Sequence, residues 1–160
     1  MTGGAAAAAD VRVAAFGDLP ARTAYQLWRL RLDVFVVEQR CAYAELDGRD
    51  LEPGTRHLWV ERGDRPVGYL RLLAEPDGSR RIGRVCVAVS DRGRGLADLL
   101  VGRALVLVGE RRCVLDAQAH LASWYARRGF VPTGPPFEED GIAHVPMGRP
   151  PARDDAATSR

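Results

Sequence analysis

The sequence predicts an α/β layer fold in one domain, with strands interleaved with helices that cover both faces of a sheet. Three observations predict it. Apolar residues alternate with period two at 11–15 and 85–89, and 57–61, 67–74 and 81–89 read as strands bounded by turn signals. Two stretches, one after Pro20 and one from Leu96 to Val108, carry apolar residues at helical spacing instead. The chain of 160 residues is long enough for one proper core and is most simply a single domain, residues 10–149.

The elements follow in order. Residues 1–9 and 150–160 are low-complexity and are expected to be disordered tails. The apolar start lacks a positive n-region, so it does not read as a signal peptide, and no segment is long enough to span a bilayer. Val11, Val13 and Ala15 make an edge strand. Gly17-Asp18-Leu19-Pro20 is a helix start, with Asp18 near the cap and Pro20 in the first turn. The helix is expected to run to Phe35, turning Ala24, Leu27, Trp28 and Leu32 to the core. Residues 41–56 hold Gly48, Pro53, Gly54 and several acids without periodicity, and long loops in compact domains are frequently functional. Three antiparallel strands then form a meander, joined at Gly63-Asp64 and Pro76-Asp77-Gly78. A helix ends near Gly109, a short strand covers 114–117, a short helix at 121–128 is closed by Gly129, and the Phe130 and His144 regions supply final strands.

A formal net charge of +2 gives no global reason to expect nucleic acid or a membrane surface. All 23 basic residues other than histidine are arginine, which fits a GC-rich genome better than a selected function. Three cysteines without a Cys-x-x-Cys pair indicate neither a disulfide framework nor a metal site, and a reducing cytoplasm fits best. Cys86 and Cys113 sit in or beside apolar strands as small hydrophobes, whereas Cys41, in a polar loop, is the one with access to a substrate.

The most specific stretch joins the Val85-Cys86-Val87 strand to the helix from Leu96 through Arg92-Gly93-Arg94-Gly95. A glycine-rich turn entering a helix aims unpaired N–H groups and the positive end of the helix dipole at one point, which suits a phosphate or pyrophosphate. Two glycines let the backbone approach an anion and two arginines add charge-assisted bonds. The loop lacks the Lys-Ser/Thr of a Walker motif, and Asp98 breaks the dinucleotide Gly-x-Gly-x-x-Gly pattern. A tight turn with surface arginines is the plainer alternative.

Arg92-x-x-Gly95-x-Ala97 resembles the pyrophosphate signature of the GNAT superfamily of N-acetyltransferases, and Trp124-Tyr125-Ala-Arg-Arg-Gly129-Phe130 resembles its downstream tyrosine segment. Val34-Phe-Val-Val-Glu38-Gln39, Cys41, Tyr43, Asp47, Asp50, residues 117–121 and the stretch from Glu139 to His144 are similar to the ElaA-like group. The resemblance implies the GNAT fold, a mixed, mostly antiparallel and splayed central sheet with helices on both faces. It implies acetyl-coenzyme A as co-substrate, no metal, and a small-molecule or peptide amine as partner, in a monomer or homodimer. Val85, Cys86, Val87, Arg92, Gly93, Arg94, Gly95, Leu96, Ala97 and Gln118 are then candidate cofactor contacts, Gln118 standing where many members have Asn. Tyr125 is the candidate acid for the departing thiolate, with a packed core tyrosine as the alternative.

For the base, Glu38, Glu139 and His144 are candidates, each with a structural role as the even alternative, and Glu38 is set beside Tyr125 as the catalytic pair. His57 and His120 read as structural. Arginines cluster around the phosphate-loop helix, while Glu45, Asp47, Asp50, Glu52, Glu138, Glu139 and Asp140 lie in two loops on what is expected to be the opposite side. Asp47, Glu139 and His144 are therefore the candidate contacts of a primary amine bearing further positive charge. An acyl-coenzyme A-binding regulator without turnover, and a nucleotide binder of unrelated fold, are the competing readings.

Overall fold

The computed structural model describes residues 10–152. Eight strands form one sheet: β1 (Val11–Ala14), β2 (Arg56–Arg62), β3 (Arg65–Ala74), β4 (Arg80–Val87), β5 (Cys113–Gln118), β6 (Val131–Pro132), β7 (Phe137–Glu139) and β8 (Ile142–Arg149). Their order is β1-β2-β3-β4-β5-β8-β6, with β7 also paired to β8. Every pairing is antiparallel except β4 with β5. That parallel pair is connected by α2 (Leu96–Val108), the crossover that parallel neighbours require.

Helices cover both faces. On one, Leu100, Val101, Ala104 and Val108 of α2 pack on Leu58, Leu70, Leu72 and Leu115. On the other, Leu27, Leu30 and Val34 pack on Trp59, Tyr69 and Cys86. Strand β3 is buried on both faces because it lies between these layers, which explains its nearly continuous apolar run.

Several local expectations are corrected. Phe16–Asp18 is a separate 3-10 turn, and α1 (Ala21–Leu32) takes Pro20 as its N-cap, so Asp18 caps nothing. Beyond Leu32 the helix widens into a π-helical turn, Asp33–Glu38, closed by Gln39 N–H to Val34 O at 3.2 Å. Leu32 is exposed, and Leu30 and Arg31 take the buried face with Leu27. Of the apolar residues at helical spacing in α2, Leu100, Val101, Ala104 and Val108 are buried and Leu99 is exposed. Strand β4 stops at Val87, and Val89–Asp91 is a 3-10 turn. The short helix expected at 121–128 is a 3-10 turn, Ala119–Leu121, followed by α3 (Ala122–Ala126). Gly129, at φ 88°, does reverse the chain after it, in a conformation a side chain would oppose. The expected tails at 1–9 and beyond 152 lie outside the described residues, while residues 150–152 follow β8, with Ala152 N–H bound to Glu110 O at 3.1 Å.

Candidate active site

Strands β4 and β5 pair only at Arg80 with Cys113 and Arg81 with Val114, and then part. A β-bulge follows shortly after in β4. Arg71 pairs with Gly83 while Tyr69 pairs with Cys86, so Arg84 and Val85 together face Leu70. Arg84 takes a φ of 54°, in the left-handed region where a Cβ is strained. A bulge bends and twists its strand. Past Arg81 the β4 edge is unpaired on the β5 side, and a cavity of about 580 Å³ fills the opening. Its walls come from β4 (Val85 among them), β5 (Gln118), α3 (Tyr125), the π turn (Phe35), the 41–56 loop, and the β7–β8 hairpin with Glu139 and His144.

Tyr125 is 6% exposed, held edge-on by Trp124 and Phe130 at ring-centroid distances of 4.9 and 5.9 Å. Its hydroxyl has no hydrogen-bond partner among the described residues, and burial pushes its pKa up to about 12. The phenol thus keeps its proton throughout the ordinary pH range.

The 92–95 loop, the candidate phosphate site, lies where the chain leaves β4. Among the described residues, no backbone N–H from 92 to 98 has a protein acceptor. Gly93 and Gly95 both sit at φ 76°, and nothing lies within 4 Å of where a Cβ would stand on either. The loop is an open cradle of N–H donors at the start of α2. Arg94 is exposed and has no ion-pair partner among the described residues. Arg92 differs: its Nε donates to Val87 O at 3.0 Å and its Nη2 to Glu38 Oε2 at 2.6 Å, so it ties the loop to β4 and to the end of the π turn. The one carboxylate in the first turn of α2, Asp98, would oppose an anion, and Arg128 pairs with it.

Of the acids in the 41–56 loop, Glu45 and Asp50 are buried, Asp47 is partly covered, and Glu52 pairs with Arg49 at 3.2 Å nearer the surface. Arg31, wholly buried on α1, binds Glu45 Oε1 and Asp50 Oδ1, both at 2.7 Å. Burial works against the guanidinium charge, yet Tyr69, Asp50 and Glu45 outweigh it and the Arg31 pKa is raised. Arg71 holds Asp47 through two bonds of 2.8 and 2.6 Å and reaches Asp50 at 3.2 Å. This hydrogen bonding keeps the Asp47 carboxyl well below its usual range. Arg84 Nε lies 2.9 Å from Glu45 Oε2, close enough for an ion pair but not aligned for a hydrogen bond. The Tyr43 hydroxyl donates to Glu45 as well. Beneath them His57 spans Tyr69 Oη at 2.7 Å and Asp50 O at 3.1 Å, the structural role expected of it.

Three arginines therefore neutralise Glu45, Asp47 and Asp50, and the expected acidic rim reduces to the β7–β8 hairpin. Glu139 and Asp140 line the cavity with no ion-pair partner among the described residues. Cys41, expected to be open to substrate, is 8% exposed, although it does line the cavity; its Sγ sits 3.5 Å from Gln39 O and from Asp140 O.

These features have counterparts in known proteins. A family model described as an acetyltransferase (GNAT) domain matches residues 24–149. The chain belongs to the GNAT acetyltransferase family. It is 51% identical to a UPF0039 protein of Mycobacterium tuberculosis over 137 residues, covering 83% of this chain and 88% of that one. It is 39% identical to Escherichia coli ElaA over 131 residues, 78% and 86% of the two chains. The ElaA crystal structure superposes with a TM-score of 0.83 over 89% of this chain and 99% of its own, at 34% identity. An acyl-CoA N-acyltransferase from Pseudomonas aeruginosa matches equally, with a TM-score of 0.83, 40% identity and the same coverage.

In this GNAT domain the cavity brings together Tyr125, Gln118, Val85, Asp47, Glu139 and His144. It does not include Glu38, whose carboxylate lies on Arg92 outside the cavity wall. Cys86 turns its side chain away, into the core under α1, where burial raises its thiol pKa to about 12. Arg31, Arg71 and Arg84 escaped the sequence reading. The signal was there in Arg31, four residues after Leu27 and three before Val34, and in Arg71 inside the run Tyr69-Leu70-Arg71-Leu72-Leu73. Arginine at a core position needs buried carboxylates, and the neighbouring loop supplies them.

Proposed function

We propose that this GNAT protein is an acetyl-coenzyme A-dependent N-acetyltransferase acting on a primary amine. One observation carries the reading: the β4 edge left unpaired past Arg81 and Tyr125 border one cavity, and the chain runs on from that same strand into the loop whose N–H groups at 92–98 are unpaired. The donor set fits coenzyme A. The loop amides and Arg94 suit a pyrophosphate, and the β4 edge at Val85, Cys86 and Val87, unpaired on the β5 side although Val87 O already accepts from Arg92, suits the amides of a pantetheine arm, as an added strand would. The coenzyme supplies an acyl group activated as a thioester.

The protein's part is positioning and proton handling. Tyr125 Oη presents a hydrogen to the leaving sulfur. With its pKa at about 12 and a thiol's ordinary value near 8.5, complete transfer is uphill by about 5 kcal/mol at the outset, so Tyr125 works as a hydrogen-bond donor that strengthens as charge grows on sulfur. Glu139 and Asp140, left uncompensated on the cavity wall, favour an acceptor that carries positive charge, whereas Asp47 is occupied by Arg71.

The test is amine-dependent release of free thiol from acetyl-coenzyme A across a panel of amines. Turnover with cationic primary amines is the expected result. Coenzyme A binding without thiol release across the whole panel would make the protein a non-catalytic binder and overturn the proposal.

A further inference from the structure

Resting on that reading, we infer that His144 is the general base that deprotonates the acceptor amine. An amine attacks only through its lone pair, and an alkylamine is largely protonated near neutrality, so a group in the cavity must accept a proton from nitrogen. Asp47 is engaged by Arg71 and Arg84, Asp116 by Arg81 at 3.3 Å, and Glu38 lies on Arg92 outside the cavity; Glu139 and Asp140 are unpaired, but a carboxylate is a weaker proton acceptor than an imidazole.

His144 is held ready for the task. It lies on β8 between Gln118 of β5 and Phe137 of β7, and its ring stacks on Phe137 at 5.5 Å and 16°. Its Nδ1 lies 2.8 Å from Ile142 O. A carbonyl can only accept, so Nδ1 carries the hydrogen and, in the neutral ring, the lone pair is on Nε2. Nε2 has no partner among the described residues, and the ring lines the cavity shared with Tyr125. Tautomer and ring plane are thus fixed before an acceptor arrives, as a positioned base requires.

The step balances simply. An N–H bond of the ammonium breaks, its electron pair stays on nitrogen for attack on the acyl carbon, and an Nε2–H bond forms. The resulting imidazolium keeps its Nδ1–H on Ile142 O. Glu139 and Asp140, at the end of β7 and in the turn after it, are the unpaired carboxylates of the same cavity and favour the cation; Arg49, Arg71, Arg81 and Arg84 also line it, each paired with carboxylates (Glu52 and Glu75, Asp47 and Asp50, Glu75 and Asp116, Glu45 and Asp47), and Tyr125, Gln118 and Cys41 are uncharged neighbours there.

The test compares two amines of similar size, an alkylamine that is cationic at neutral pH and an arylamine that is already neutral. For His144→Gln, kcat on the alkylamine falls about 100-fold or more. KM and acetyl-coenzyme A affinity stay within about twofold, and kcat on the arylamine changes little. Raising the pH toward the alkylamine's own pKa recovers the lost rate. His144→Asn, whose amide can still reach Ile142 O, reproduces the pattern while keeping the hairpin folded. Equal losses on both amines would mean that His144 only shapes the cavity, and no loss on either would place the base elsewhere; both results overturn the assignment. A wild-type protein inert to both amines would instead overturn the transferase reading on which it rests.

Discussion

Replacing Arg31 by methionine tests the buried charge network. Arg31 and Glu45 side chains are fully buried and Asp50 is 7% exposed, so Arg31→Met leaves two carboxylates in the interior short of a counter-charge. Breaking a buried pair from one side costs about 3–5 kcal/mol. Glu45 retains Arg84 at 2.9 Å and Asp50 retains Arg71 at 3.2 Å, which puts the expectation at the lower end, about 3 kcal/mol. For a domain of this size each kcal/mol lowers the melting midpoint by about 2–4 °C, so a fall of about 6–12 °C is expected. Thermal melts followed by circular dichroism read it directly. Adding Glu45→Gln should cost less than the sum of the two single changes, because the carboxylate left exposed to the imbalance is gone. A midpoint within about 2 °C of wild type, or strict additivity, would refute the view that Arg31 and Glu45 are coupled through burial.

Further outcomes follow from the site. Arg94→Glu and Gly95→Asp each place a carboxylate at the open N–H cradle and should weaken coenzyme A binding by about 100-fold, measured by calorimetry on folded protein; unchanged affinity removes the anion site. Tyr125→Phe should lower kcat by about tenfold or more with cofactor affinity kept, and since Tyr125 titrates only near pH 12, no alkaline loss of rate near pH 9–10 belongs to it. The paired change Glu139→Gln with Asp140→Asn should raise KM for a cationic amine by about tenfold and for a neutral one hardly at all, and added salt should shrink the gap. Acid should destabilise the fold in two stages. Burial lowers the His57 pKa from 6.5 and the Arg71 hydrogen bond lowers that of Asp47 from 3.8, so the unfolded chain binds protons first in each case. Stability is then full above pH 6.5 and declines below it, and again below pH 3.8; a urea midpoint that rose on acidification would contradict both.

The sequence by itself determined what depends on neighbours along the chain. Alternation and turn signals placed the strands, Gly93 and Gly95 marked the open cradle of N–H groups because only a short local path is needed to aim them, and the resemblance of Trp124 to Phe130 to the GNAT segment marked Tyr125 as the candidate acid. The extra residue at Arg84 left no trace in the pattern, since a bulge is defined by what lies opposite it on β3. Only tertiary structure decided where charges go. The sequence makes Asp47 and Glu38 look as available as Glu139, yet Arg71, from 24 residues away, occupies the first and Arg92, from 54 residues away, the second. Composition cannot reveal such pairing, because an ion pair is a property of position in space. Likewise, nothing along the chain says that Nδ1 of His144 meets Ile142 O and leaves Nε2 without a partner in a residue that lines the same cavity as Tyr125; that follows from the hairpin pairing β8 beside β5.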